Sequence, residues 1–462
     1  MPTYSRLNAI RSRSSQLLFC GATAAVLLTS AHVSAAPTLT GWASLPALTT
    51  APGPTSGQFA AAGFGDNGKL LPLLNAQPVQ GLSAVLDGPR PGTYYVMCDN
   101  GFGSKPNSAD ALLRVFAVRP EWKTWNGKAV VGTGAVTPVD YRNGKRLPSF
   151  TTDSFISLSD PDHRLGFKLQ ADFEHYYDTA THPAVDPAIK AGRLLTGADL
   201  DIESVRRDKR GNLWFGEEFG PFLVKTDKTG RVLRAEIPLP NFKPAGSNST
   251  GDVVRSPQNP YLSGAENLGS SRGFEGMAIN GSRTKLYTLL EGTVIGDAAQ
   301  SLRINEFDLS REVYTGKSFL YALDALGTNI GDMTAVNDHQ FLVLERNGNT
   351  ATTAGAPYKR VFLIDIEQVD ANGYVKKTDL VDLMNVADPH DLNADGSTTF
   401  TFPYVTIEDV LVVDENTLLV INDNNFPGGG GRNAAPDITE FLLIRLDAAL
   451  DDRHEGDGRD RD

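Results

Sequence analysis

Asp201-Ile202-Glu203-Ser204-Val205, a polar turn, and then Leu213-Trp214-Phe215-Gly216-Glu217-Glu218 form the stretch from which the fold can be read. Two short runs rich in β-branched and aromatic residues, separated by a turn, read as a β-hairpin. An acid stands on the first strand, and another closes the second.

The same plan recurs four more times. Gly81-Leu82-Ser83-Ala84-Val85 precedes Tyr94-Tyr95-Val96-Met97-Cys98-Asp99, and Gly273-Phe274-Glu275-Gly276-Met277 precedes Leu286-Tyr287-Thr288-Leu289-Leu290-Glu291. Ile330-Gly331-Asp332-Met333 is followed by Phe341-Leu342-Val343-Leu344-Glu345, and Ile407-Glu408-Asp409-Val410 by Leu418-Leu419-Val420-Ile421-Asn422-Asp423. In chain order the paired landmarks are 83/99, 203/218, 275/291, 332/345 and 408/423, so their separations are 16, 15, 16, 13 and 15 residues. Several copies run on into a third strand, such as Leu302–Leu309, Arg360–Asp365 and Phe441–Leu446. Three or four antiparallel strands repeated radially make a β-propeller, so the expected class is all-β. The step from 83 to 203 spans 120 residues against 72, 57 and 76 for the others, which leaves room for a further blade between about 113 and 198, around Ser154–Leu158. Six blades are expected, with five or seven open, and Gln58–Gly63 is expected to close the ring. Two β-sandwiches with coincidental acidic turns are the competing architecture.

Composition agrees with this reading. Of 462 residues 40% are hydrophobic and 21% charged, which excludes disorder, and two cysteines are too few for a disulfide scaffold. The 45 glycines and 27 prolines are what many short strands and turns require. The net charge of −12 disfavours nucleic acid as a partner and favours cations or small molecules. Arg6, Arg11 and Arg13, the apolar run Leu17–Leu28 and the small residues Ser34-Ala35-Ala36 lay out a secretory signal peptide over 1–36. That run of 12 is shorter than the roughly 18–20 residues of a membrane span. The mature chain is therefore expected to be soluble, exported to the periplasm or the extracellular space, with Cys98 as its lone thiol. Its single domain is expected over 37–450, followed by a disordered tail over 451–462.

Several of these segments resemble a known family. Gly53-Pro54-Thr55-Ser56-Gly57-Gln58-Phe59, Asp99-Asn100-Gly101-Phe102-Gly103-Ser104-Lys105, Leu195-Thr196-Gly197-Ala198-Asp199-Leu200-Asp201, Trp214-Phe215-Gly216-Glu217-Glu218-Phe219-Gly220-Pro221, Ser270-Ser271-Arg272-Gly273-Phe274-Glu275-Gly276 and Leu344-Glu345-Arg346-Asn347 look like the phytase-like family described as having esterase-like activity. The resemblance spans about 53–446. It implies an exported hydrolase, grouped by analogy with calcium-dependent propeller phosphatases, and does not fix a substrate.

Acids that recur once per blade on inner strands converge on the channel of a propeller. The candidate metal ligands are Asp99, Glu203, Glu275, Asp332, Glu345, Glu408 and Asp423, with Ser83 at the equivalent place in the first copy; Glu218, Glu291 and Arg272 are the candidate catalytic residues. Converging carboxylates repel one another unless cations neutralise them, and an all-oxygen set favours Ca²⁺ before Mg²⁺ or Mn²⁺. Bound cations would hold a phosphate oxygen and activate water, while Arg206, Arg272, Arg346, Lys105 and Arg432 lie near enough in sequence to contact phosphate. The expected substrate is a small ester or phosphoester. Two other readings stay open: a non-catalytic binding or scaffold propeller whose acids are structural, and a lactonase-like propeller with one cation. Three weaker motifs stand apart: the first is open between a calcium site and a plain surface turn, and the other two are read as loops. Asp391–Gly396 begins like a calcium loop but places Phe402 where the bidentate Glu belongs, Gly428–Gly431 resembles an anion nest, and Gly269-Ser270-Ser271-Arg272-Gly273 lacks the strand and helix of a nucleophile elbow. His175, His182 and His390 show no zinc-ligand spacing.

Overall fold

The computed structural model describes residues 36–60, 71–242, 252–262, 265–433 and 436–451. The expected signal segment and tail thus lie almost wholly outside the described residues.

Five sheets, antiparallel except for the parallel pairing of Thr38 with Ala387 in the fifth, stand around a common axis. Blade one is Leu82–Asp87, Tyr94–Cys98 and Arg114–Pro120, flanked by Phe155–Ser157 and Val136–Pro138. Blade two is Ile202–Arg207, Leu213–Glu217, Phe222–Thr226 and Ile237–Pro238; blade three is Phe274–Ile279, Lys285–Leu290, Ser301–Asp308 and Val313–Ala322. Blade four is Asn329–Ala335, Gln340–Arg346, Lys359–Val369 and Val375–Asp382. Blade five begins Asp409–Asp414, Thr417–Ile421 and Thr439–Arg445. The innermost strands touch in cyclic order, and the strand of blade five returns to that of blade one.

Two expectations need correction. No sixth blade forms between 113 and 198 among the described residues, where the separate sheet is only the two-stranded ribbon of Thr124–Trp125 and Val130–Val131. Instead Arg114–Pro120 becomes the third strand of blade one, and Phe155–Ser157 pairs onto its outer side. From 159 to 198 the chain lacks sustained apolar alternation and forms turns, isolated bridges, the short 3-10 helices Gln170–Asp172 and Tyr176–Asp178, and one α-helix, Pro187–Gly192. Nor does Gln58–Gly63 close the ring: 58–60 are bends, and 61–63 lie outside the described residues. Closure belongs to Thr38–Leu45, which pairs antiparallel with Thr439–Arg445 and so joins the two ends of the domain in one blade.

Each neighbouring pair of blades encloses its own apolar layer, because a strand presents alternate side chains to opposite faces. Leu418 and Val420 pack toward blade four, whereas Leu419 and Ile421 pack toward blade one. Phe215 likewise faces blade one and Trp214 faces blade three. The apolar core is therefore five interblade layers, which leaves the axis to the residues at the strand starts.

Candidate acidic site on the propeller axis

A β-bulge near the start of the inner strands builds the site. Pairing to the second strand slips between Leu82 and Ala84, Ile202 and Ser204, Phe274 and Gly276, and Ile330 and Asp332. The extra residues are Ser83, Glu203, Glu275 and Gly331; a bulge re-aims its extra side chain, here toward the axis. In blade five Asp409 pairs with Ile421, and the Glu408 amide also donates to the Ile421 carbonyl, so Glu408 holds the same place. Before each slip Leu82 faces Cys98, Ile202 faces Glu217, Phe274 faces Leu290 and Ile330 faces Glu345. The next residues, Asp99, Glu218, Glu291 and Arg346, with Asp423 in blade five, form the second tier.

Blade four therefore brings Gly331 and Arg346 to the axis, not Asp332 and Glu345. Asp332 accepts from Arg206 Nη2 at 3.0 Å, from the Met333 amide at 2.7 Å and from the Val410 amide at 3.1 Å, which ties blades two, four and five together. Glu345 accepts from the Tyr321 hydroxyl at 2.5 Å and the Asp324 amide at 2.7 Å, and pairs with Lys377. Both carboxylates are fully engaged away from the axis.

Arg346 is the buried counter-charge of the ring, with Nη2 3.0 Å from Glu408 and 3.4 Å from both Glu275 and Glu291. Arg272 pairs with Glu291 Oε2 at 2.8 Å, its side chain 40% exposed, and Asn329 donates to Glu291 Oε1 at 2.5 Å. Against these two arginines stand Asp99, Glu203, Glu218, Glu275, Glu291, Glu408 and Asp423, joined by Asp201, which the sequence reading did not single out. Asp201 accepts from Asn100 Nδ2 at 2.9 Å, and its second oxygen has no partner among the described residues.

Burial, with repulsion from neighbouring carboxylates, raises Asp99, Glu203, Glu218, Glu275 and Glu408 above the ordinary carboxylate values, and burial raises Asp423. For Asp99 burial dominates, followed by Asp423 and Asp201; for Glu203, burial, Asp201 and Glu275. Glu218 is raised by burial, Glu291 and Asp201, with Arg272 opposing, and Glu275 by burial, Glu408 and Glu291, with Arg346 opposing. Burial, together with Asp423, carries Glu408 to about 8, and burial carries Asp423 to about 6. Such a site is costly unless it is protonated or neutralised by cations.

Two carboxylate groups have the spacing to hold an ion: Asp201, Glu203 and Glu218, and again Glu218, Glu275 and Glu291, with one oxygen of each residue within 4.8 Å of the others in its group. Glu218 belongs to both, and its Oε1 is buried without a hydrogen-bond partner among the described residues. An all-oxygen donor set with unpartnered buried oxygens fits a hard divalent cation.

Residues 77–426 match the model of a family described as phytase-like, esterase-like activity of phytase. The chain belongs to the phytase-like family. An uncharacterized secreted protein of Arthroderma benhamiae is 27% identical over 175 residues, 34% of this chain and 34% of its own, so the match spans about a third of that relative. Among solved structures, a luciferin-regenerating enzyme covers 90% of this chain and 97% of its own at 10% identity and TM-score 0.34. The calcium-binding protein regucalcin of Agrobacterium tumefaciens covers 87% and 97% at 11% identity and TM-score 0.33. Likeness this distant speaks to neither metal nor substrate.

In this phytase-like chain the remaining candidates sort by position. Arg206 serves Asp332, and Arg432 is taken by Glu440 and the Thr401 carbonyl. Lys105 lies 4.8 Å over the Phe219 ring and donates to the Gln258 carbonyl, its pKa lowered by burial. The glycine run already has its anion, because the Gly430 and Gly431 amides donate to Asp437 at 3.0 and 2.7 Å. Asp391 accepts from the Gly396 amide in an exposed turn, and Ser271 is an exposed loop residue just ahead of the strand Phe274–Ile279. His175 and His182 bond backbone carbonyls, while His390 stacks on Trp125. Among the described residues no helix is long and apolar enough to cross a membrane.

Proposed function

We propose that the chain is an exported, divalent-cation-dependent hydrolase of phosphoester or related ester substrates, with Ca²⁺ as the preferred ion. One observation carries this reading: eight acids converge on the axis against Arg346 and Arg272, and Glu218 links two ion-sized carboxylate groups. Asp201, Glu203 and Glu218 would hold one cation, and Glu218, Glu275 and Glu291 a second. Bound there, the ion would supply Lewis acidity toward an ester oxygen and an anchor for a phosphate.

The chain's own residues have distinct parts. Arg272, the more exposed of the two arginines, lies at the solvent side and can meet an anionic substrate oxygen, while Arg346 stays fixed among three glutamates. Glu291 is oriented by Arg272 and Asn329. Glu218 Oε1 has no hydrogen-bond partner among the described residues, which leaves it able to take and return a proton. The secreted relative and the Arg-rich, apolar, small-residue N-terminal pattern support export.

The test uses purified protein stripped with chelator and assayed on a panel of phosphate esters, carboxyl esters and lactones. Turnover should be absent without metal, return with Ca²⁺, and be lost in Glu218→Gln. No turnover with Ca²⁺, Mg²⁺ or Mn²⁺ on any member would sink the reading and favour a scaffold. Turnover confined to lactones would replace the phosphoester assignment.

A further inference from the structure

The far end of the propeller carries an opposite chemistry. Arg207 ends the inner strand that Glu203 begins, so about 13 Å of strand separates them. Between blades one and two on that side lies a half-open cavity of about 510 Å³, walled by Tyr95, Tyr141, Ile156 and Leu213 and lined also by Arg142, Arg207 and Lys228. That volume suits a small organic ligand.

Charge selects the ligand. The lining contains no carboxylate, in a chain of net charge −12. Arg142 is already paired with Asp140 and Asp153. Arg207 and Lys228 make no salt bridge among the described residues; the Arg207 guanidinium lies 4.9 Å from the centre of the Tyr95 ring and is placed by Tyr95 and the field of Asp87. An adjoining cavity of about 240 Å³ shares Arg207, adds Arg206 and Arg283, and is lined from all five inner strands, with Asp87 its one acid. Both bordering turns are braced by their own aspartates: Asp208 receives the Arg210 and Asn212 amides, and Asp227 receives the Thr229 and Arg231 amides. The wall is thus formed before any ligand arrives.

We propose that this pocket binds a small organic anion, its aromatic or apolar body against Tyr95 and Leu213 and its anionic group held by Arg207 and Lys228. The site is separate from the acidic ring and stands whether or not the ring is catalytic.

Calorimetric titration of the full chain with 1-naphthalenesulfonate, at physiological salt, tests it, with neutral 1-naphthalenemethanol as the control. One saturable site is expected for the sulfonate, weakened about tenfold or more by Lys228→Gln and by Arg207→Gln, as loss of a charge-assisted hydrogen bond would give. Glu218→Gln should leave it unchanged, and the alcohol should bind about tenfold more weakly or not at all. Lys228 is exposed on a turn, so its variant tests the site even if Arg207→Gln fails to fold. Absence of saturable binding, equal affinity for the alcohol, or unchanged affinity in Lys228→Gln would overturn the assignment.

Discussion

Glu218→Gln should have opposite effects with and without cation. The substitution keeps the side-chain shape and removes one negative charge from both carboxylate groups, whose oxygens lie within 4.8 Å of one another. Two ionised groups at about 5 Å repel by about 3 kcal/mol at an effective dielectric near 20. Glu218 has four such neighbours, Asp201, Glu203, Glu275 and Glu291. Protonation limits the penalty, because taking up a proton costs about 1.4 kcal/mol for each unit by which pH exceeds the pKa. Near pH 8 the metal-free variant should therefore gain about 1 to 3 kcal/mol over the parent. In excess Ca²⁺ the order should reverse, since both groups have lost a ligand charge and the ligand-linked stabilisation shrinks. Urea unfolding with chelator and with CaCl₂ reads both arms. A variant less stable in both conditions, with the Ca²⁺-induced shift intact, would refute the reasoning and make Glu218 a structural tie.

Other consequences follow from the same charges. Arg346→Gln should cost the metal-free protein about 3 to 5 kcal/mol, because three glutamates lose their buried partner, and excess Ca²⁺ should recover much of the loss in the same unfolding assay. Asp332→Asn and Glu345→Gln should each lower stability by about 1 to 3 kcal/mol and leave the calorimetric Ca²⁺ titration unchanged, since neither acid reaches the axis. Asp423 and Glu408 have folded pKa values above their unfolded ones, so their stabilising contribution is complete below the ordinary carboxylate range. It is lost as pH rises through about 6 for Asp423 and about 8 for Glu408. The melting temperature of chelated protein should fall from about pH 5 to about pH 8.5, and added Ca²⁺ should stabilise most at the upper end; a flat or rising metal-free profile would contradict this.

Much of the propeller is legible in the repeated hairpins, and so are seven of the eight ring acids, all but Asp201, although the repeat does not show that Glu218 links two carboxylate groups. The fourth copy misleads by one residue on each strand. Its landmarks, 332 and 345, are 13 apart where the other copies give 15 or 16, whereas Gly331 and Arg346 are 15 apart. That short interval arises because Asp332 and Glu345 each lie one residue inside the axial positions, which hold Gly331 and Arg346; the same bulge occurs in blades one to three, where the axial positions themselves carry the landmarks. Matching acid to acid thus hid the ring's own counter-charge. Asp201 was passed over because Glu203 already filled the repeat position, although both lie on the same strand start. The absent sixth blade has a different cause. Phe155–Ser157 reads as a strand and is one, but hydrogen bonding gives it to blade one, and no local pattern records which edge a strand will join.

The central claim, that the acidic ring is a divalent-cation site, is tested most directly by anomalous diffraction from crystals soaked in Mn²⁺ as a stand-in for Ca²⁺. Peaks within the groups Asp201/Glu203/Glu218 and Glu218/Glu275/Glu291, displaced by soaking in Ca²⁺ and lost in Glu218→Gln, are the predicted result. A ring without density at saturating metal, or ions bound only at surface carboxylates, would contradict it.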